Sequence, residues 1–464
     1  MRAGSLVTAL ALVALLACVS EVPLQAGAGG QITVAPEFER GLVGRWLLGD
    51  NWRDLWTEPI ELRELDLAAV GGGLRPVKQV GALQTLGLAF AAADGGSYTF
   101  RTVRKRLDRS LPDWLRWGPQ QALFRDQGSA TLPAAPLVVS KLMRDQGILV
   151  PLHELVVMPD DPRLGEFRER FAGSVGMLAR YPLPGENGAP GDFGALEILS
   201  SEELWRRWEA GGSDAVDVRA YLRARLVDWW VGDWDRHPQQ WRWARILGRA
   251  GWQPLPEDHD QAFADYDGAV ATAIRPLRPQ LVEFEDELPM RGLRKKAAAL
   301  DAWLLVGLDA AQWSAELDAL RARSDAARLD AAISSLPVAW RASAGRVLRE
   351  RLGVRLEGLS EAAFDVYRAL ARQPHWHGSN ARDRLVIACH ADGSVDVELG
   401  PAEARHGAMT QRRRFRPAET RRLEVDLYAG DDEVTRVDES DCAIEVVVRS
   451  EPIRVPLTRG VPEP

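Results

Sequence analysis

Residues 228–243 read D-W-W-V-G-D-W-D-R-H-P-Q-Q-W-R-W, a composition unlike that of an ordinary core segment. The stretch holds three aspartates, one histidine and five of the chain's 17 tryptophans. Asp, Arg and His are rarely buried together unless they pair, bind a metal or take part in chemistry. We therefore expect a functional site here. We interpret the tryptophans as core anchors for the loop. The alternative is that exposed ones stack on a sugar or a partner.

Composition and charge restrict the class of protein. A chain of 464 residues predicts roughly two or three domains. Hydrophobic residues at 46% and charged residues at 27% are typical of a soluble globular protein. The net charge of -8 and the pI of about 5.6 argue against a nucleic-acid partner, because phosphate binding needs a basic face.

The N-terminus resembles a bacterial signal peptide. Arg2 precedes an apolar run at residues 6–17, which is too short for a membrane span but typical of an h-region. Two processing sites stay open. Cleavage after Ala28 would remove residues 1–28, whereas the lipobox-like LLAC at residues 15–18 would remove 1–17 and lipidate Cys18. We expect an exported protein of the bacterial envelope, either periplasmic or tethered to a membrane through Cys18.

Two cysteines lie in the body of the chain, Cys389 and Cys442, both in strand-like sequence. Export permits a disulfide between them. Two unpaired buried thiols are the alternative, and the sequence leaves both open.

The order of elements predicts an α+β fold. Asp94, Gly95 and Gly96 lie between β-rich runs and predict a hairpin, whose second strand at residues 97–105 carries cations on one face. A helix at 133–146 and strands at 153–158 and 175–180 complete a β-rich lobe, which we assign to residues 35–190.

Helical sequence follows in residues 191–372, with an S-x-x-E cap at Ser200 and Glu203. Apart from two short strands after the opening motif, its elements are helical. The predicted helices cover residues 200–210, 217–230, 294–323, 326–352 with an interruption near Pro337, and 360–372. Period-two alternation then predicts a small C-terminal antiparallel β unit in residues 373–464.

The spacing of polar residues suits phosphoryl transfer. Asp235 and Gln240 are five residues apart, and Asp260 follows 20 residues after Gln240 on the far side of a predicted hairpin. A carboxylate in a fixed loop can orient or deprotonate a hydroxyl. A carboxamide and a second carboxylate can hold a divalent metal that bridges nucleotide phosphates.

The same residues resemble the catalytic machinery of atypical kinases. The run GDWDRHPQQ at residues 232–240 is similar to the D-R-H-x-x-N loop of phosphoinositide kinases and to the D-x-H-x-x-N variant of HipA-like kinases. The run DQAF at 260–263 looks like their metal-binding D-F-G. Residues from about 38 to 437 also resemble an envelope-protein family with the motif GDWDRHxxQWRW. The resemblance implies a bilobal protein-kinase-like fold.

It also implies a role for each matching residue, with ATP and a Mg or Mn ion as cofactors. The implied roles are catalysis by Asp235, a polar contact to the transferred phosphoryl group by His237, metal binding by Gln240 and Asp260, and phosphate binding by Lys105. Residues 71–73 and the segment from Gly81 to Thr85 are alternatives for the glycine-rich loop.

Three features of the sequence depart from the kinase pattern. Gln240 stands where the family has Asn, residues 133–146 offer no glutamate partner for Lys105, and neither glycine stretch is G-x-G-x-x-G. In addition, ATP is scarce outside the bacterial cytoplasm. The alternatives to a kinase are therefore a catalytically inactive binding or scaffold protein and, third, a metal-dependent phosphohydrolase.

Several residues near the motif have structural alternatives. Asp235, Arg236 and His237 could form a salt-bridge cluster, and Arg101 or Arg104 could replace Lys105. We expect Asp233 and His259 to support the site from behind or to cap an element. Asp258 could be a further ligand, with the same structural roles as the alternative. For His375 and His377 we expect a turn rather than a metal pair, since no third ligand is near in sequence.

Overall fold

The computed structural model describes residues 25–26, 30–81, 85–105, 118–211, 215–403, 411–437 and 442–450. Cys18 and most of the expected signal peptide lie outside these residues. The fold is α+β, as expected. Among the described helices, none is both long and apolar enough to span a lipid bilayer.

Five antiparallel strands form the largest sheet, in the order β4-β5-β6-β8-β7. They are β4 (Leu74–Val80), β5 (Gly87–Ala92), β6 (Ser97–Thr102), β7 (His153–Val157) and β8 (Val175–Tyr181). A small sheet of β1 (Gln25–Ala26), β2 (Gln31–Thr33) and β3 (Ile60–Glu61) precedes it.

Both faces of the large sheet are covered, because side chains alternate along each strand. Phe90, Phe100 and Leu178 face an outer core under the loop that follows β7. Leu155 and Met177 face the main core of the molecule. The predicted hairpin at residues 94–96 is confirmed, since Ala92 N donates to Gly96 O at 2.9 Å.

Thirteen α-helices lie within the described residues. They are α1 (Leu42–Leu48), α2 (Arg53–Thr57), α3 (Gly118–Asp126), α4 (Ala135–Asp145), α5 (Arg168–Phe171), α6 (Ser201–Glu209), α7 (Val218–Val231), α8 (Ala269–Ile274), α9 (Met290–Leu293), α10 (Ala298–Leu304), α11 (Ala310–Ala322), α12 (Ala326–Ile333) and α13 (Val338–Arg372). The predicted capping box at Ser200 and Glu203 begins α6.

Helix α7 is the centre of the main core. Its residues from Tyr221 onward are buried except for the half-buried Arg223, and the charged Arg225 and Asp228 are among them. It ends at Gly232, whose left-handed φ of 74° suits a glycine and turns the chain into the motif loop. Trp229, Trp230, Trp241 and Trp243 are fully buried, which confirms that these four are core anchors.

The helices α1 and α2 pack against the helical part of the chain rather than against the large sheet. Trp52 Nε1 donates to Phe263 O at 2.7 Å, and the Asp267 carboxylate accepts from the backbone amides of Asp50 and Asn51, each at 2.9 Å. The β-rich lobe predicted for residues 35–190 therefore begins with two helices that contact the other lobe.

Two predicted helix boundaries are wrong. The expected helix at 294–323 is interrupted at residues 305–309, where Asp309 and Gln312 form a capping box that starts α11. The apolar pattern runs through this break, so periodicity alone missed it. Conversely, α13 is one helix of 35 residues, where we expected two. The predicted interruption near Pro337 is confirmed.

The C-terminal unit consists of two packed sheets with mixed strand directions. One sheet has the order β12-β16-β18, and the other has the order β15-β14-β13-β17. Their strands are β12 (His375–His377), β13 (Asp383–Cys389), β14 (Val395–Pro401), β15 (Gln411–Phe415), β16 (Arg422–Asp426), β17 (Glu433–Arg436) and β18 (Glu445–Arg449). Trp376, Ile387, Phe415 and Val425 belong to the shared core.

The antiparallel description of this unit needs correction. The pairs β12–β16, β16–β18 and β13–β17 are parallel. Alternation of period two identifies a strand that is buried on one face but carries no information on the direction of its neighbour. Cys389 and Cys442 form a disulfide, which resolves the alternative that the sequence left open.

Candidate functional site

A three-stranded sheet brings the motif loop and the second acidic segment together. It has the order β11-β10-β9, with β9 (Ala195–Ser200), β10 (Trp241–Ile246) and β11 (Trp252–Pro256). β10 and β11 form a hairpin in which Trp241 lies opposite Pro256, and Glu257 N donates to Gln240 O at 2.9 Å. The loop that ends at Gln240 therefore lies beside the segment that begins at Glu257.

Arg236 links these two segments from within the protein and is fully buried. Its Nη1 donates to the carbonyls of Glu257 and Asp258 at 2.6 and 3.1 Å, and its Nη2 donates to Gln240 O at 3.3 Å. On its other side, Nε lies 3.3 Å from Asp228 Oδ2. Arg236 therefore belongs to a buried salt-bridge cluster, as one of the two interpretations of the motif expected, and it holds the loop in place.

Asp233 and His259 form a buried layer behind the loop. Asp233 Oδ2 lies 3.3 Å from His259 Nδ1, and Asp233 Oδ1 accepts from Asp235 N at 3.2 Å. Burial raises the pKa of Asp233 to about 6 and lowers that of His259 to about 3. Both residues support the loop from behind, as expected from the sequence.

Asp228, Asp233 and His259 have ligand atoms close enough to hold an ion. However, Arg225 and Arg236 lie against these two carboxylates, with Arg225 Nη1 2.8 Å from Asp228 Oδ2 and Arg236 Nη1 3.9 Å from Asp233 Oδ2. The two guanidinium groups already neutralise the buried acids.

Lys105 lies just beyond the end of β6 and forms an ion pair with Asp260. Its side chain is only 8% exposed. Burial alone would lower the pKa of Lys105, but the charges of Asp260, Asp258 and Asp235 outweigh it and hold the pKa above its ordinary value. The structure therefore pairs Lys105 with Asp260, and Asp235 is near enough for its charge to act on the lysine.

Asp258 is a second acid at this position, paired with Arg101 Nη1 at 3.0 Å. Burial and the charge of Asp258 raise the pKa of Asp260. Burial would raise the pKa of Asp258 too, but the charges of Arg101 and Lys105 hold it well below its ordinary value. Two carboxylates that cannot both ionise easily form an anionic pair that a cation would stabilise.

The residues available for a metal fit a hard divalent cation. Asp258 and Asp260 offer carboxylate oxygens, and Gln240 offers an amide oxygen, the donor types that Mg²⁺ and Mn²⁺ take. Asp258 is thus a candidate ligand in addition to Gln240 and Asp260, which stay predictions.

Asp235 faces a cation that the motif did not reveal. Lys296 Nζ lies 2.5 Å from Asp235 Oδ1 and 4.9 Å from the centre of the Trp234 ring. His237 Nε2 lies 3.4 Å from Gln240 Nε2, and burial lowers the pKa of His237. The only signal for Lys296 in the sequence is the short basic run at residues 294–296, just before α10.

A cleft lies between the large sheet and the β10–β11 hairpin, and Asp235, His237, Gln240 and Lys296 are not among the residues that line it. Its polar end includes Lys105, Arg101, Asp258 and Asp260. The remaining wall is mostly apolar and includes Val103, Leu132, Pro136, Val150, Met177 and Ala179. An apolar slot that ends in charged groups suits a ligand with a flat ring and a polyphosphate.

The structure distinguishes the two candidate glycine loops. Thr85 lines the cleft, and Gly81 has a left-handed φ of 79°. A Cβ on Gly81 would lie 2.5 Å from Thr85 O, so this position requires glycine. Residues 71–73 instead lie beside the β5–β6 turn, where Asp94 N donates to Gly71 O, at the end of the sheet opposite Lys105.

Arg104 is paired with Glu37 and does not line the cleft, so Lys105 and Arg101 are the two cations of this strand that do. Sequence reasoning proposed Lys105 and considered Arg101, but it did not identify their separate acidic partners. It missed Lys296 as well, because the segment before α10 is 61 residues away from Asp235 in the chain.

Comparisons with known proteins give similar structures only. No protein-family model matches the chain, and no curated protein matches it. The chain is similar to the Helicobacter pylori proinflammatory kinase CtkA, with 11% identity and a TM-score of 0.34 over 63% of this chain and 96% of that one. For the Golgi casein kinase the values are 10%, 0.34, 74% and 85%.

The chain is also similar to HipA of Shewanella oneidensis MR-1, in a structure with HipB and operator DNA. Identity is 14% and the TM-score is 0.31, over 63% of this chain and 74% of that one. With scores this low, we take the function from the geometry of the cleft alone.

Proposed function

We propose that this protein is an atypical kinase-like enzyme that binds a nucleotide with a divalent metal and transfers a phosphoryl group to an acceptor. One observation carries the proposal. Asp235 lies close enough to Lys105 for its charge to act on the lysine, which is itself paired with Asp260 at the polar end of an apolar cleft.

The residues divide the reaction between them. Lys105 binds the phosphates, and Asp235 accepts the proton of the acceptor hydroxyl as its oxygen attacks the terminal phosphorus. The new bond joins that oxygen to phosphorus, and the bond from phosphorus to the bridging oxygen breaks, which leaves the nucleoside diphosphate. Lys296, 2.5 Å from Asp235, places a further positive charge beside the reacting group.

A Mg or Mn ion held by Asp258, Asp260 and the Gln240 amide would neutralise charge on the phosphates. In this structure Asp260 and Lys105 form an ion pair with each other. Binding would separate them, so that Lys105 turns to the phosphates and Asp260 to the ion. His237 lies beside Gln240, where it could make a polar contact to the transferred phosphoryl group.

The test is ligand-dependent stabilisation of the mature protein. ATP with Mg or Mn should raise the melting temperature, because a ligand that binds only the folded state stabilises it. Asp260→Ala should remove that shift, and Asp318→Ala, an exposed acid on α11, should keep it. An unchanged melting temperature across nucleotides and metals would refute the proposal.

A second candidate is a kinase-like binding or scaffold protein without turnover. It is favoured by the absence of a glutamate in α4 that could hold Lys105 away from Asp260. Nucleotide binding that survives Asp235→Asn, with no phosphate transferred by either protein, would select this candidate. Loss of transfer in Asp235→Asn, with binding retained, would select the enzyme.

The disulfide supports a place for this protein in an oxidising compartment such as the bacterial envelope, since disulfides persist there. We propose export, with either a soluble product or a lipid tether at Cys18. Fractionation of cells that express the natural chain and a Cys18→Ser variant tests the tether, because only the natural chain should then be found with membranes.

A further inference from the structure

Three potential metal ligands lie together in the C-terminal unit, away from the cleft. Strands β12 and β16 are parallel, and His377 lies opposite Asp426. Because side chains alternate along a strand, His375 and His377 share one face, while Trp376 enters the sandwich core. One nitrogen of each histidine and one oxygen of Asp426 lie within 4.8 Å of one another.

This arrangement corrects the expected turn at His375 and His377. Both residues are in a strand, and the third ligand comes from a segment about 50 residues later in the chain. Sequence spacing could not reveal Asp426, because only the pairing of β12 with β16 brings it close.

Asp426 is fully buried, yet its carboxylate is only partly satisfied. Oδ2 lies 2.6 Å from His375 Nε2. Oδ1 has no hydrogen-bond partner among the described residues, and the Arg449 guanidinium is 3.7 Å away. A buried carboxylate oxygen without a donor costs free energy, which a bound cation would offset.

His377 is oriented as a ligand would be. Its Nδ1 is 2.7 Å from the Tyr428 hydroxyl, and its ring stacks on the Tyr428 ring with centroids 6.0 Å apart. Its Nε2 has no hydrogen bond to any residue that the structure describes. A metal-bound histidine usually uses its second nitrogen in this way, to fix the ring.

We propose that His375, His377 and Asp426 bind a divalent transition-metal ion of the zinc class. Two imidazole nitrogens and one carboxylate oxygen form a donor set that Zn²⁺ accepts at about 2.0–2.2 Å. Imidazole ligands separate this site from the oxygen-lined cleft, which suits Mg or Mn. The His375–Asp426 contact has to open by less than about 1 Å to admit such an ion.

Of the three residues, His377 also lines a small cavity together with Trp208 and Ser379. A water molecule or an added ligand would complete the coordination. The ion would lie where the C-terminal sandwich meets α6 and α10, since the His377 ring contacts Trp205 at 5.9 Å between ring centres and Trp205 in turn contacts Trp303. Bound metal should therefore stabilise this junction.

Metal titration of the stripped protein, with its disulfide intact, tests the proposal. We expect one equivalent of Co²⁺ to bind with visible absorption bands, and Zn²⁺ to displace it. His375→Gln and Asp426→Asn should each weaken Zn²⁺ binding by more than about ten-fold. Asp426→Asn keeps the shape of the side chain and a hydrogen-bond partner for His375, so it serves where His375→Gln fails to fold.

Two controls make the test specific. His390 forms a similar pair with Asp396 at 3.0 Å, and the exposure of the two histidines is comparable. Among the described residues no metal-binding group includes His390, so His390→Gln should bind Zn²⁺ as the natural protein does. Asp260→Ala should also keep this binding, because it changes only the cleft. The proposal is overturned if the natural protein takes up no more Zn²⁺ than His375→Gln, or if His390→Gln weakens binding equally.

Discussion

Arg236 Nη1 donates a hydrogen bond of 2.6 Å to the carbonyl of Glu257, and so joins the loop that carries Asp235 to the segment that carries Asp260. The guanidinium lies over the Trp241 ring at 4.7 Å and against two buried acids. Together with the β10–β11 hairpin, this buried side chain holds the segment of the proposed base against the segment of Asp258 and Asp260.

Replacement of Arg236 by Met should lower the free energy of unfolding by roughly 3–5 kcal/mol. The reason is that Asp228 and Asp233 would lose a buried cation, and three backbone carbonyls would each lose one hydrogen bond. Urea denaturation measures the change. Arg346→Met, at an exposed pair with Glu350, should cost less than about 1 kcal/mol. Equal effects of the two substitutions would contradict the role of Arg236.

Local features of the fold were readable from the sequence because they depend on neighbours in the chain. The capping box at Ser200 and Glu203, the turn at residues 94–96 and the hairpin after Gln240 are examples. The break before α11 was readable in principle, since Asp309 and Gln312 form a capping box. It was overlooked because the apolar period continued through it.

The parts that the sequence did not reveal depend on distant pairs. Lys296 and Asp235 are 61 residues apart, and His375 and Asp426 are 51 apart. Such contacts are created by the packing of separate elements, which leaves no fixed spacing in the chain. The different ion-pair partners of Asp258 and Asp260 could not be predicted either. The two acids lie in one short segment of the sequence, but Asp258 pairs with Arg101 and Asp260 pairs with Lys105.

Lys296→Met should reduce phosphoryl transfer while nucleotide binding persists, provided that the kinase proposal holds. Its ammonium group lies 2.5 Å from Asp235 Oδ1, where it would orient the base and stabilise charge on the transferred group. We expect kcat to fall by about 10- to 100-fold, and by about 100-fold or more for Asp235→Asn. Lys295→Met, at the exposed neighbouring lysine, is the control. A similar loss in both lysine variants would contradict the assignment.

The free energy of unfolding should depend on pH through Asp265. Burial and the charge of Asp267 raise the pKa of Asp265 to about 7, whereas in the unfolded chain it is near 4. Between these values the folded state holds the extra proton, so this residue's contribution to stability falls as pH rises from about 4 to 7.

In Asp265→Asn, the free energy of unfolding should fall by roughly 3 kcal/mol less over this pH range than in the natural protein. The asparagine side chain can still accept the hydrogen bond from Phe284 N. The difference between the natural protein and the variant, measured by urea denaturation at pH 5 and pH 8, isolates this residue from the other acids. Curves that stay parallel over this range would show that Asp265 ionises normally in the folded protein.

Lys105→Met should have opposite effects on the metal and on the nucleotide. Lys105 forms an ion pair with Asp260, and its positive charge would repel a metal ion bound beside Asp258 and Asp260. Its removal should therefore leave Mn²⁺ binding as tight or tighter. It should weaken ATP binding by about ten-fold or more, because a charge-assisted contact to phosphate is lost.

Calorimetric titration with Mn²⁺ alone, and then with ATP in saturating Mn²⁺, separates the two effects. Lys141→Met is the matched control, since Lys141 is on α4 and contacts Ala331 O rather than the cleft. A loss of both affinities in Lys105→Met, with none in Lys141→Met, would indicate a collapsed cleft. Unchanged ATP affinity would show that Lys105 pairs with Asp260 for stability alone, and the phosphates would then have to lie against Arg101 or Lys296.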